Sequence, residues 1–137
     1  MIETIQEYKA KPFEQLLGLS GFSDALLKNH FTLYGGYVAN TNKLAAALAR
    51  LLQEGKTGGA DYMEYKRRFG WEFGGMRLHE YYFEGLTKTP SPLAPGSKLS
   101  AALAKDFGSF ELWEKDFRAA GAMRGIGNRT AVERDRR

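Results

Sequence analysis

The clearest pattern in the chain is a stripe of apolar positions, spaced by threes and fours, between residues 23 and 53. Ser23 suits a helix N-cap, Asp24 falls in the first turn, and Gly55 follows the end of the pattern. The stripe consists of Leu26, His30, Leu33, Tyr37, Thr41, Leu44, Leu48 and Leu51. This spacing predicts one long amphipathic helix with His30 on its apolar face.

A second stripe with the same spacing follows the glycine-rich loop "EGKTGGAD" and predicts a helix from about residue 61 to residue 86. It consists of Tyr62, Tyr65, Phe69, Phe73, Met76, His79, Phe83 and Leu86. Two amphipathic helices joined by a short loop fold back as an antiparallel hairpin. At a rise of ~1.5 Å per residue, the hairpin brings His79 within about 7 or 8 Å of His30 along the axis. The pattern therefore predicts that the two imidazoles converge.

Each predicted helix also contains a glycine pair, at residues 35–36 and 74–75. An interior glycine costs a helix about 1 kcal/mol relative to alanine. The pairs therefore indicate a need for close backbone approach, or for space beside a site.

The rest of the chain starts with "KTPSPLAPGSK", which holds three of the four prolines and indicates a boundary near residue 95. Two shorter helices are predicted beyond it, at 98–107 and 109–123, with Ser109 as the cap of the second. The sequence contains no convincing strand, so the predicted fold class is all-α. The predicted division is a helical hairpin domain at 1–90, a linker with the start of a second domain at 91–127, and a divergent basic tail at 128–137.

Composition narrows the class of protein. The chain has no cysteine, which excludes disulfides and thiolate metal sites, and it has no apolar run long enough to cross a membrane. We expect a cytoplasmic protein without a membrane partner. The net charge is +4, but residues 124–137 hold five arginines and two acids, so residues 1–123 are close to neutral. This distribution argues against nucleic acid as a partner.

The chemistry that remains centres on the only two histidines. A histidine on an apolar face is most often a hydrogen-bonded core residue, yet two on facing stripes are also a candidate metal site. Two neutral imidazoles are fewer than the three or more protein ligands of a typical catalytic metal, so further ligands would have to come from elsewhere. Four aromatic residues on these faces either form ordinary core or keep a site dry and supply a phenolic proton donor. They are Tyr34, Tyr37, Tyr82 and Phe83.

Three stretches in order resemble the iron/manganese superoxide dismutase family: "HFTLYGGYVANTNKL", "GGMRLHEYYF" and "DFGSFELWEKDFRAAGAMRGIG". The resemblance implies that the hairpin is the family's N-terminal domain, followed by the first helices of its α/β C-terminal domain. It also implies dismutation of superoxide at one iron or manganese ion, bound in the family by three histidines and one aspartate. His30 and His79 then correspond to the first two histidine ligands, and Tyr37 to the catalytic tyrosine of the substrate channel. Gly75 takes the place where iron-type members often carry a glutamine.

The sequence departs from the family at two places. His30 lies one residue closer to Tyr37 than the family's first ligand does, and Asn29 stands at the expected position. After Gly127 the sequence reads "NRTAVERDRR" in place of the family's sheet and last two ligands. We therefore expect a truncated, incomplete site that is weakly active or inactive in this single chain.

A different class of function also fits these residues. Without the family's sheet, a helical hairpin would expose apolar surface and would serve as a non-catalytic oligomerisation or interaction module. A homo-oligomer is expected for either function.

Overall fold

The computed structural model describes residues 7–123, and all regular structure in that range is helical. A short 3-10 helix at Glu14–Leu16 precedes four α-helices. These are α1 (Asp24–Gln53), α2 (Ala60–Glu84), α3 (Lys98–Phe107) and α4 (Phe110–Ala122). The predicted all-α class is confirmed for this part of the chain. None of its helices has the length and hydropathy needed to cross a membrane.

The chain divides into two compact units, Met1–Lys88 and Thr89–Arg137. The predicted division at 1–90, 91–127 and 128–137 stays a prediction, and the basic tail lies outside the described residues.

The first unit is the predicted antiparallel hairpin, in which α1 packs along α2. α1 begins where the Ser23 hydroxyl accepts the Leu26 N–H at 3.2 Å, which satisfies one of the free amides of the first turn. Its 30 residues span about 45 Å at the usual rise of an α-helix. Gly55 has a φ of +68°, a left-handed conformation that favours glycine, and it closes the C-terminal end.

The core of the first unit has a third component, an N-terminal strap formed by residues 7–22. The strap buries Phe13, Leu16 and Leu19 against the hairpin. Hydrogen bonds also fasten it, because the Asn42 side chain accepts the Tyr8 N–H at 2.9 Å and donates to the Tyr8 carbonyl at 2.8 Å. The strap therefore covers a face of α1 that a two-helix hairpin would leave open.

The strap also explains a departure from the predicted stripe on α1. The stripe places Leu33 in the core, but Leu33 is 48% exposed, whereas Leu27, Tyr34 and Val38 are buried. The buried face of α1 is rotated toward the strap, so His30 and Tyr37 lie half-buried at its edge.

The second unit contains α3 and α4, which pack against each other. Ser97 and Ser109 cap them, each accepting the amide three residues on, and the predicted cap at Ser109 is confirmed. Neither helix has a buried residue.

Candidate metal centre

The two histidine rings meet near the open end of the hairpin, away from the loop that joins α1 and α2. Their ring centroids lie 4.8 Å apart with an interplanar angle of 78°. The convergence follows from the antiparallel packing, because His30 lies in the second turn of α1 and His79 lies near the C-terminal end of α2. The structure thus brings together the two residues that the spacing selected.

The two nitrogens of His79 have different surroundings. Nδ1 lies 2.6 Å from the Gly75 carbonyl oxygen, one turn earlier in α2. A carbonyl can only accept, so Nδ1 carries a proton, and in the neutral ring the lone pair is then on Nε2. Nε2 is buried and has no hydrogen-bond partner among the described residues. A buried polar atom without a partner is costly in a protein core, and a metal ligand is one function that accounts for it.

Gly75 has a second property, which is the absence of a side chain. A Cβ at this position would lie 2.5 Å from Cδ1 and Cε1 of the Tyr37 ring, a distance that real Cβ atoms essentially never show. The Tyr37 ring therefore rests directly against the α2 backbone, with its centroid 5.1 Å from that of His79. This contact supplies the predicted close approach at Gly75 alone, because a Cβ at any of the other three paired glycines would meet nothing within 4 Å.

Three further aromatic rings enclose the histidine pair. The Phe83 centroid lies 4.9 Å from that of His30, the Tyr82 centroid lies 5.4 Å from it, and the Tyr34 centroid lies 6.3 Å from that of His79. Phe83 and Tyr34 are almost fully buried, whereas Tyr82 is 37% exposed. The histidine pair is therefore shielded from water on the core side and partly open to it at Tyr82.

The surroundings favour the neutral form of the His30 ring. Burial lowers the pKa of His30, and the neighbouring His79 lowers it further. Burial also raises the pKa of Tyr82, so its phenol stays protonated. A neutral imidazole is the form that binds metal ions.

The sequence pattern missed a polar cluster beside this site. The Tyr34 hydroxyl donates to Oε1 of Glu80 at 3.0 Å and accepts the Lys11 N–H at 3.0 Å. Oε2 of Glu80 accepts from Arg77 Nη1 at 2.7 Å, and Lys11 Nζ lies 3.7 Å from it. Glu80 is only 4% exposed.

The electrostatics of this cluster are those of a paired carboxylate. Burial alone would raise the pKa of Glu80, but hydrogen bonds from Arg77 and Tyr34, with the charges of Arg77 and Lys11, hold it below its usual value. Burial raises the pKa of Tyr34, against the opposing hydrogen bond from the Lys11 amide.

A second buried acid, Glu72, accepts hydrogen bonds from Arg68 Nε at 2.7 Å and from Asn40 Nδ2 at 3.3 Å. Glu72 and Glu80 share the spacing of Met76 and Phe83, the other buried residues of α2. The sequence contains a signal for both buried acids. Each stands at a core position of the helical spacing and follows an arginine by three or four residues.

Whether an iron or manganese ion fits beside the two rings depends on the ligand atoms that the residues there provide. His30 and His79 provide imidazole nitrogens, which suit both metals, and the buried Nε2 of His79 has no hydrogen-bond partner within residues 7–123. Between residues 7 and 123, no three or more His, Cys, Asp or Glu side chains form a group that could hold a metal ion. The residues present therefore fit part of a metal site.

Known proteins include a partial relative of this chain. No family model matches the sequence. The chain is 33% identical over 124 residues to a protein named iron superoxide dismutase from Cupriavidus metallidurans. The match covers 88% of this chain and 60% of that protein, so the chain spans three fifths of the length of this curated relative. Over most of its own length, the chain is thus similar to a superoxide dismutase.

Proposed function

We propose that this protein is a superoxide dismutase-type metalloprotein in which His30 and His79 supply two nitrogen ligands to one iron or manganese ion. The observation that carries the proposal is the buried Nε2 of His79, which has no hydrogen-bond partner among the described residues and belongs to a ring 4.8 Å from His30. The similarity to an iron superoxide dismutase supports a redox metal as cofactor and superoxide as substrate.

A bound metal of this kind supplies one-electron chemistry, by which two superoxide ions and two protons become dioxygen and hydrogen peroxide. The chain's own residues have three tasks. The Gly75 carbonyl holds His79 in the tautomer whose Nε2 can bind. Tyr37, whose ring is 5.1 Å from His79, is the proposed proton donor. Phe83 and Tyr82 restrict water around the pair.

Two imidazoles leave the proposed site incomplete. Catalytic metals typically have three or more protein ligands, including anionic ones that offset the metal charge. The remaining ligands would come from groups other than the described residues. We therefore propose weak binding, and weak or no turnover, for the single chain, because the ligand set also tunes the redox potential.

The test is metal binding by the purified chain. We expect anaerobic equilibrium dialysis against increasing Fe²⁺ or Mn²⁺, with elemental analysis of both sides, to approach about one bound ion per chain only at an excess of free metal. We also expect superoxide consumption to be slow. His30→Ala and His79→Ala should each abolish binding. Equal metal content in the wild type and in the double variant would overturn the proposal.

A matched control is available next to His30. Asn29, exposed on α1, stands where the family places its first ligand. Asn29→Ala should bind metal as well as the wild type does. If Asn29→Ala lost the metal and His30→Ala kept it, the assignment of His30 would be wrong.

The second candidate function is self-association, and exposed apolar residues on α2 support it. Trp71, Leu78 and Tyr81 are 56%, 68% and 69% exposed, and their spacing places them on one face. Sedimentation velocity should then show a concentration-dependent oligomer that Leu78→Lys dissociates. A monomer at all concentrations would exclude this function.

A further inference from the structure

A buried hydrogen bond joins α1 to α2 at the level of the histidine pair. It runs from the Tyr34 hydroxyl to Oε1 of Glu80 at 3.0 Å, between side chains that are 2% and 4% exposed. Tyr34 lies one helical turn after His30, and Glu80 is the residue that follows His79. Tyr34 and His30 are thus held by the same stretch of α1, and Glu80 and His79 by the same stretch of α2.

Both partners also make a second hydrogen bond. The Tyr34 oxygen also accepts the Lys11 N–H of the strap, and the other carboxylate oxygen of Glu80 accepts from Arg77. If α2 turned about its own axis, these groups would separate and a buried oxygen would lose its partner. Leaving a buried oxygen without a partner costs more free energy than the hydrogen bond contributes to stability.

The apolar contacts around the pair do not impose the same constraint. Hydrophobic burial is non-directional, so Phe83 and Phe13, with ring centroids 4.8 Å apart, would tolerate a small rotation. A hydrogen bond to a carboxylate depends steeply on distance and angle. The Tyr34–Glu80 bond therefore adds a directional constraint on the rotation of α2 against α1 at this level, beside the close contact of the Tyr37 ring with Gly75.

We propose that Glu80 is a positioning residue for the metal centre. Its bond to Tyr34 fixes the rotation of α2 against α1 and thereby holds the His79 ring against the His30 ring. The relevance to metal binding rests on the proposed function, whereas the effect on the ring positions does not.

The first test reads the two rings without metal. Because the chain has only two histidines, its imidazole protons give two sets of NMR signals, and a nuclear Overhauser cross-peak between them reports the contact. We expect this cross-peak in the wild type, and we expect it to disappear in Tyr34→Phe, which removes one oxygen atom and leaves the ring packing intact. Glu80→Ala should lose it too, and Glu80→Gln, which keeps an acceptor oxygen, should restore it.

Glu84→Gln is the matched control, since Glu84 accepts from the same Lys11 at 2.6 Å but is exposed and lies one turn further along α2. Its cross-peak should equal that of the wild type. A cross-peak that persists in folded Tyr34→Phe would overturn the proposal, and so would an equal loss in Glu84→Gln. If Glu80→Ala does not fold, Tyr34→Phe and Glu80→Gln still decide.

The second test measures affinity for Mn²⁺. Loss of a group that orients a metal ligand typically weakens binding by about 10–100-fold, and we expect this loss in Tyr34→Phe and none in Glu84→Gln. Unchanged affinity in Tyr34→Phe would overturn the positioning role. If the wild type binds no metal but the cross-peak responds as expected, the proposed function fails and the positioning role stands.

Discussion

The two compact units begin their helices in the same way but hold them together differently. Ser23 in the first unit and Ser109 in the second both cap a helix through a hydrogen bond to an amide three residues on. Among the described residues, the buried side chains all lie in the first unit, which also has hydrogen bonds between distant segments, such as that between Lys11 and Tyr34. Capping therefore determines where these helices begin, while long-range burial determines how firmly they are held.

The amphipathic faces of the second unit are largely uncovered. Several of its large apolar side chains are more than 40% exposed, although α3 and α4 pack together. These are Leu99, Phe107, Leu112, Phe117 and Met123. Amide hydrogen exchange should accordingly be faster in the second unit, because local opening costs least where few apolar contacts are buried.

Each unit contains one tryptophan, which allows the two to be measured separately. Trp71 lies in α2 and Trp113 lies in α4, and the chain has no other tryptophan. In a Trp113→Phe background, fluorescence follows the first unit, and in a Trp71→Phe background it follows the second. The following comparisons use these two backgrounds with urea unfolding.

The largest difference in stability between the two units is expected when one phenylalanine in each is replaced by alanine. Phe83 is 1% exposed and packs on Phe13 and Phe31, whereas Phe117 is 65% exposed beside Trp113. Phe83→Ala should lower the free energy of unfolding of the first unit by about 3–5 kcal/mol, because it removes buried area and leaves a cavity. Phe117→Ala should change the second unit by no more than about 0.5 kcal/mol. Equal losses in both would show that the second unit has a core of its own.

A smaller difference is expected from matched acids. Glu72 is 2% exposed and accepts from Arg68 and Asn40, whereas Glu114 forms an exposed pair with Arg118. Glu72→Ala should cost the first unit about 1–3 kcal/mol, since the hydrogen bonds of Arg68 and Asn40 to a buried carboxylate are lost.

The matched change, Glu114→Ala, should cost the second unit about 0.2–1 kcal/mol, the usual range for a surface ion pair. Glu72→Gln keeps the shape and one acceptor oxygen, so it should cost less than Glu72→Ala. Equal costs for Glu72→Ala and Glu114→Ala would indicate that burial of Glu72 adds nothing to its pairing.

The helices and the meeting of the histidines could be predicted because they follow from local rules. Spacing by threes and fours gives each helix one face, a short loop makes the pair antiparallel, and the rise per residue then sets His79 beside His30. No such rule covers the strap, whose buried Phe13 and Leu16 lie in a segment too short for helical periodicity. The rotation of the α1 face, which leaves Leu33 exposed, depends on that strap and was therefore unpredictable too.

The buried acids were missed for a related reason. An isolated acid at a core position is unfavourable, so a pattern of apolar residues passes over it. Glu80 pairs with Arg77, one turn earlier in α2, and Tyr34 and Lys11 also reach it from segments that are distant in sequence. The ligand role of His30 and His79 stays a prediction, since it depends on groups beyond the two rings.

The smallest expected effect is the change in stability with pH. It is tested with one exposed carboxylate in each unit. A hydrogen bond from Arg67 holds the pKa of Glu64 below its usual value, and hydrogen bonds from its own amide and from Ser109 lower the pKa of Glu111. A carboxylate whose pKa is lower in the folded state stabilises it above the usual pKa, and this contribution disappears as the pH falls through the folded pKa. From about pH 6 to about pH 3, across the usual range of glutamate, both urea midpoints should therefore fall.

Glu64→Gln should reduce that fall in the Trp71 signal alone, and Glu111→Gln should reduce it in the Trp113 signal alone. If either substitution changed the pH response of both signals, the two units would unfold as one, and the comparison between them would lose its basis.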